Sequence, residues 1–239
     1  MRRGLSGTAL QALAVFFMTL DHIGAVLLRE RQIVWANVLH EMPMLFVLRA
    51  IGRAAFPIFA FLLAQGMLHT RSRGRFMLRL ALFALLSELP FDLAFYVVPY
   101  YPDYQNVFFT LFLGAACIAL FDSGSKVLGV MAVLPVLLAQ LLRTDYAALG
   151  VLTILLFWRF SKKGAAGAAV VLLLFTVGCL TYGHWIYLFA LLALPLLLCY
   201  NGARGGRAGR VGAAVRKWGF YLYYPAHLSV LAALAKYAR

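Results

Sequence analysis

Long, nearly unbroken runs of apolar residues, separated by short polar punctuation, make up most of this chain. The runs do not alternate apolar with polar, as barrel strands would, so each is predicted to be a helix. A helix satisfies its own amides where no water can. The pattern predicts nine spans, at Thr8–Leu28, Ala50–His69, Phe76–Val98, Val107–Phe121, Val127–Leu142, Tyr146–Phe160, Gly164–Tyr182, Trp185–Tyr200 and Trp218–Leu234. Asp122-Ser123-Gly124-Ser125, Lys162-Lys163-Gly164, Tyr182-Gly183 and Asn201-Gly202 supply turns between them. The fourth to sixth spans hold only about 15 residues, roughly 22 Å of helix. That is short of a ~30 Å hydrocarbon core and predicts local thinning or cover from other helices. The stretch Ile33–Leu48 is apolar but carries His40, Glu41 and Pro43, which suits an interfacial or re-entrant segment.

Composition agrees with this pattern. Of 239 residues, 64% are hydrophobic and 13% charged, and a soluble fold of this size could not hide that much apolar surface. Mean hydropathy is +0.87. The reading is therefore an all-α, polytopic transmembrane bundle forming one domain over residues 1–239. Helical spans place it in a bacterial cytoplasmic (inner) membrane, with lipid as its surroundings. The net charge of +14 would suggest nucleic acid in a soluble protein, but here the basic residues sit in short loops facing anionic lipid, and no nucleic-acid partner is expected. With the N-terminus cytoplasmic, 15 Lys and Arg fall inside and six outside, the latter including Arg49 and Arg143, while Arg53 lies in a span. That asymmetry favours N-in and C-out. The run after Met1-Arg2-Arg3 lacks a clear cleavage site and is kept as a helix. Cys117, Cys179 and Cys199 lie in apolar runs without metal-binding spacing and read as packing residues. No internal repeat is visible.

Charged residues inside spans are costly and call for a reason. Asp21 and His22 lie in the first span, Arg53 opens the second, and Glu88 and Asp92 share one face of the third. Gln105 and Asn106 precede the fourth, and His227 sits midway along the ninth. Pro57, Pro90 and Pro225 accompany them, each freeing the carbonyl four residues back. Freed carbonyls are tolerated where they are buried in protein or line a wet cavity, so four helices are expected to converge on one. Packing alone offers competing readings: a register-fixing ion pair among Arg53, Glu88 and Asp92, a helix cap at Asp21 and His22, a satisfied core histidine at His227. As a set, three carboxylates, one arginine and two histidines exceed what packing needs. Histidine suits proton transfer near neutral pH, so His22 is the candidate base for an amine or hydroxyl nucleophile. Asp21 points about 100° away from it on a helix, so a carboxylate from another helix is expected to orient His22. Arg71, Arg73, Arg75 and Arg79, beside His69, read either as a positive-inside loop or as a clamp for the phosphates of a cytosolic nucleotide-like donor. No metal site, Walker loop, GxSxG or dinucleotide fingerprint is present.

Several runs resemble the TraX family. They are Leu20-Asp21-His22-Ile23-Gly24; Ile51 to Leu62, with Gly52-Arg53 and Phe56-Pro57; Gln65-Gly66-Met67-Leu68-His69-Thr70-Arg71; and Ser87-Glu88-Leu89-Pro90-Phe91-Asp92. Gln105-Asn106-Val107, Leu194-Pro195, Tyr200-Asn201-Gly202 and Tyr221 to Leu228 follow in the family's order. Gln65 stands where the family's run carries a glutamate. The resemblance implies a membrane acyltransferase drawing on cytosolic acetyl-CoA or another acyl-CoA. Its acceptor would be an amine or hydroxyl, on a pilin N-terminus, a glycan or a small molecule. It marks Asp21, His22, Arg53, Glu88, Asp92, Gln105, Asn106 and His227 as functional. His22 becomes the base, oriented by Glu88 or Asp92, with Arg53, Gln105 or Asn106 on the oxyanion. An acyl-histidine route through His22 or His227 stays open. His69 and the four arginines are assigned to the donor. The rival reading is a proton-coupled transporter using the same carboxylates and histidines as a relay; a third is a non-catalytic scaffold.

Overall fold

The computed structural model describes residues 4–27, 43–205 and 210–237, and every named element among them is helical. The helices are α1 (Gly7–Leu27), α2 (Pro43–Gly52), α3 (Ala55–His69), α4 (Arg73–Phe95), α5 (Val107–Phe121), α6 (Lys126–Met131), α7 (Val133–Leu141), α8 (Ala147–Arg159), α9 (Gly164–Thr181), α10 (Ala193–Leu198) and α11 (Arg210–Tyr237). Two 3₁₀ segments, Ser161–Lys163 and Trp185–Leu192, complete the order. Among the described residues the all-α expectation holds. Three stretches, Gly7–Leu27, Met44–His69 and Ser161–Thr181, are long and apolar enough to cross a membrane. Residues 33–42 of the expected interfacial segment, with His40 and Glu41, lie outside the described residues; its remainder opens α2.

Three predicted spans are broken, and one rule accounts for the breaks. The second divides at Arg53-Ala54, the fifth at Ala132, and the eighth passes from 3₁₀ to α after Leu192. Pro57, Pro135 and Pro195 each stand third in the helix that follows. There a proline lacks only an N–H that the first turn leaves unused, while its ring excludes the carbonyl four residues back. Pro90 and Pro225 lie inside continuous helices instead.

Burial follows helical periodicity, and its chemistry is inverted relative to a soluble protein. On α4, Leu80, Phe83, Ala84, Ser87, Phe91 and Asp92 are buried, while Leu78, Leu82, Leu85, Leu86, Leu89 and Leu93 are exposed. On α9, Val170, Leu173, Leu174 and Val177 are exposed. Continuous exposed stripes of large aliphatic side chains suit lipid, not water, as the contacting solvent.

The contacts fall into two compact units. The first holds residues 1–58, 89–100 and 184–239; the second holds 59–88 and 101–183. In the first, α1 buries Leu10, Ala14, Met18, Asp21 and Ala25 and packs on α2 and α11. In the second, α5 packs on α7 and α8 around Leu113, Cys117, Ala132, Ala139 and Val151. Gly114 admits Ile154 there, since a Cβ on it would fall 2.5 Å from the Ile154 Cδ1.

Candidate functional site

Asp21 and His22 are neighbours on α1, and the fold sends them to different partners. Asp21 is buried and forms ion pairs with Arg49, at 2.6 Å, and with Arg53. Arg53 also donates from Nε to Asp21 Oδ1 at 3.1 Å and from Nη1 to the Tyr187 hydroxyl at 2.9 Å, with its guanidinium 5.0 Å from that ring's centre. Arg49 and Arg53 are four apart, so one helical turn aims both at one carboxylate. Gly52 makes the approach possible, because any Cβ on it would overlap Asp21. Small residues at a helix–helix contact serve this purpose in membranes. Arg49 is therefore a helical partner of Asp21 and not the outer-loop residue expected from the sequence.

His22 Nδ1 lies 2.7 Å from Nε2 of His227 on α11. The two rings are within 6° of parallel, with centroids 5.0 Å apart. That separation exceeds the N···N distance by about two ring radii. The imidazoles therefore lie edge to edge in one plane, with the N–H of one aimed along the lone pair of the other, the best geometry for such a bond. His227 Nδ1 in turn meets the Tyr223 carbonyl at 2.9 Å. The Tyr223 ring runs parallel to His227, 10° off at 4.9 Å, and its hydroxyl is 2.7 Å from Thr19 Oγ1 on α1. Phe95 and Tyr224 stand edge-on against His22, and Tyr224 also against His227. His22 itself is half-buried. The expected carboxylate beside His22 is thus replaced by a second histidine, and the expected ion pairing of Arg53 goes to Asp21.

The second unit uses its polar residues differently. Asn106 caps α5: its Oδ1 accepts the Phe108 N–H at 3.0 Å, and its Nδ2 donates to the Ala84 carbonyl at 2.8 Å and to Glu88 Oε2. The whole amide is engaged by its own unit. Gln105 donates to the Pro102 carbonyl at 2.9 Å, and its backbone pairs with Arg143 and Asp145. Asp92 belongs to the unit that holds His22; it is fully buried, and its carbonyl receives the Tyr96 and Val97 N–H groups that end α4.

The basic junction divides as well. Arg73 pairs with Asp122 at 2.6 Å, and Arg79 lies 5.6 Å from the centre of the Phe76 ring. His69 Nδ1 bonds back to the Gln65 carbonyl at 2.8 Å. Arg71 and Arg75 are exposed, and no salt bridge among the described residues engages them. No group of three or more His, Cys, Asp or Glu among the described residues is arranged to hold a metal ion.

Sequence reasoning passed over Arg49, Tyr187, Tyr223 and Thr19. Two of them carried a signal: Arg49 precedes Arg53 by four, and Tyr223 precedes His227 by four. Tyr187 and Thr19 carried none.

A buried ion-pair cluster and an imidazole pair, set in helices whose exposed faces are aliphatic, define a membrane protein with ionisable groups held inside its helical core. The chain belongs to the TraX family, whose model, described as TraX protein, matches residues 6–235. It is similar to the probable fimbrial assembly protein FimC, serogroup H1, of Dichelobacter nodosus, with 26% identity over 95% of this chain and 94% of the relative. No solved structure matches the chain.

Proposed function

We propose that this protein is a membrane acyltransferase of the bacterial inner membrane, transferring an acetyl or similar acyl group from cytosolic acyl-CoA to an amine or hydroxyl acceptor. The observation that carries the reading is the in-plane His22–His227 hydrogen bond between two membrane helices. Packing does not require two imidazoles joined side chain to side chain, whereas proton transfer uses such a pair. The name of the fimbrial relative favours a pilin or fimbrial subunit as the acceptor. In this reading His22 takes the proton from the acceptor's N–H or O–H as its lone pair attacks the thioester carbonyl. Collapse of the tetrahedral intermediate breaks the C–S bond, and His22 returns the proton to the departing thiolate. Arg53, held by Asp21 and the Tyr187 hydroxyl, would supply the positive charge that steadies the developing oxyanion. The exposed Arg71 and Arg75 are assigned to the CoA phosphates, which guanidinium recognises well.

The test is acetyl-CoA binding and acetyl transfer by the purified protein in nanodiscs, using an amine acceptor peptide. The reading expects saturable binding, weakened at least tenfold by Arg71→Gln with Arg75→Gln, and transfer lost in His22→Gln. Absence of acyl-CoA binding by folded protein, together with solute flux into liposomes without any acyl donor, would overturn it in favour of a transporter.

A further inference from the structure

We infer that a one-way hydrogen-bond chain, running from His22 through His227 to the Tyr223 carbonyl, fixes both imidazole tautomers, and that Tyr223 and Thr19 are its positioning residues. A backbone carbonyl only accepts, so His227 Nδ1, 2.9 Å from the Tyr223 oxygen, carries the proton. In a neutral ring Nε2 is then bare and accepts. His22 Nδ1, 2.7 Å away and in plane, must donate to it. The proton of neutral His22 is thereby held on Nδ1, and its Nε2 is the basic nitrogen. The direction is set by a group that cannot titrate, and so does not depend on a carboxylate's charge state.

The anchoring of Tyr223 has the same one-way logic. Thr19 Oγ1 donates to the Val15 carbonyl at 2.8 Å, so it accepts from the Tyr223 hydroxyl at 2.7 Å. Thr19 and His22 are three apart on α1; Tyr223 and His227 are four apart on α11. Two contacts one turn apart therefore clamp the helices in the register at which the imidazoles are coplanar. The parallel ring of Tyr223 and the edges of Tyr224 and Phe95 hold the two imidazoles in that plane.

The use of the chain rests on the acyl-transfer reading. When His22 Nε2 gains the acceptor's proton, the Nδ1 proton passes to His227 Nε2. His227 becomes the cation, with its Nδ1–H still on the Tyr223 carbonyl, and return of both protons restores the start. The tautomers themselves do not rest on that reading.

The experiment is nitrogen-15 NMR of histidine-labelled full-length protein in nanodiscs, at a pH where both rings are neutral, with His22→Gln and His227→Gln used for assignment. The expected result is protonated Nδ1 and bare Nε2 in both rings. Tyr223→Phe removes the hydroxyl anchor but keeps the ring and carbonyl; it should blur the His22 tautomer into a mixture and lower kcat about tenfold, the effect of one lost hydrogen bond, without changing KM for acyl-CoA. His227→Gln keeps an acceptor for His22 Nδ1 and should retain the His22 tautomer, whereas His227→Leu should lose it. A wild-type His22 protonated on Nε2 would overturn the chain even if acyl transfer is active. The expected tautomers without acyl transfer would leave the chain standing and remove only its catalytic use.

Discussion

The buried polar groups of the two units are joined in different ways. In the first unit they meet side chain to side chain across helices: Asp21 with Arg49 and Arg53, Arg53 with Tyr187, His22 with His227, Thr19 with Tyr223. In the second, Asn106 meets Glu88, Thr110 meets Thr144 and Tyr104 meets Asp145, but many polar groups turn to backbone: Asn106 to Phe108 and Ala84, Thr153 to Leu149, Thr176 to Leu172, and the Cys117 thiol to Ala132. Backbone-directed bonds satisfy caps and carbonyls that the chain leaves open anyway, so they serve the fold locally. Bonds between side chains of distant segments order several rotamers at once and give one register, which is what a reacting group needs. In the acyl-transfer proposal the base belongs to the first unit, and the caps of the second, Asn106 among them, are scaffolding.

The largest expected effect is on rate. If His22 is the base the proposal makes it, His22→Gln should lower acyl transfer by about 10²–10⁴-fold while leaving the melting temperature close to that of the parent, since little packing goes with it. A loss of folding that parallels the loss of rate would put His22 on the scaffolding side. Next comes Asp21→Asn, which leaves two guanidiniums facing a neutral amide; stripping one partner from a buried ion pair costs about 3–5 kcal/mol. Thermal unfolding in detergent should show this as a large drop, and an unchanged transition would mean that the ion pairs do not hold α1 to α2. Gly52→Ala tests the same contact sterically. Overpacking there should cost about 1–3 kcal/mol, and an Asp21→Ala background should leave most of that cost in place, because a Cβ on Gly52 meets the Asp21 Cβ and Cα, which alanine keeps.

Asn106→Ala probes the other side of the comparison. Loss of the α5 cap should cost about 1 kcal/mol of stability, with the acyl-transfer rate of the folded fraction within about twofold of the parent. A rate loss far beyond the stability loss would move Glu88 and Asn106 into the chemistry. The smallest effect is expected for Asp122→Asn at its half-exposed pair with Arg73, about 0–1 kcal/mol and weaker still in high salt.

Much of this was legible in the chain. Uninterrupted apolar runs dictate helices, since nothing else satisfies a backbone amide in hydrocarbon, and α5 matches its predicted limits. Asp21, His22, Arg53 and His227 were visible because each is expensive inside an apolar run, whereas Arg49, expected in an outer loop, was not. The second and fifth spans are predicted as continuous, and the breaks ahead of Pro57 and Pro135 emerge only in the structure, because a proline inside an apolar run can either start a new helix or be carried within one. The predicted third and ninth spans run through Pro90 and Pro225, and the helices there are unbroken as predicted.

Partner choice was another matter. A sequence gives the angle between Asp21 and His22 on one helix, but not which of several helices stands at each angle. Only the packing of α1 on α2, permitted by Gly52, brought two arginines to Asp21. Only the packing of α1 on α11 brought His227 to His22. The sequence by itself determined the helices, the membrane setting and the list of costly residues, because those follow from local hydrogen bonding and hydropathy. The tertiary structure alone decided which of those residues touch, because contacts between segments some 200 positions apart depend on helix packing that no local pattern encodes.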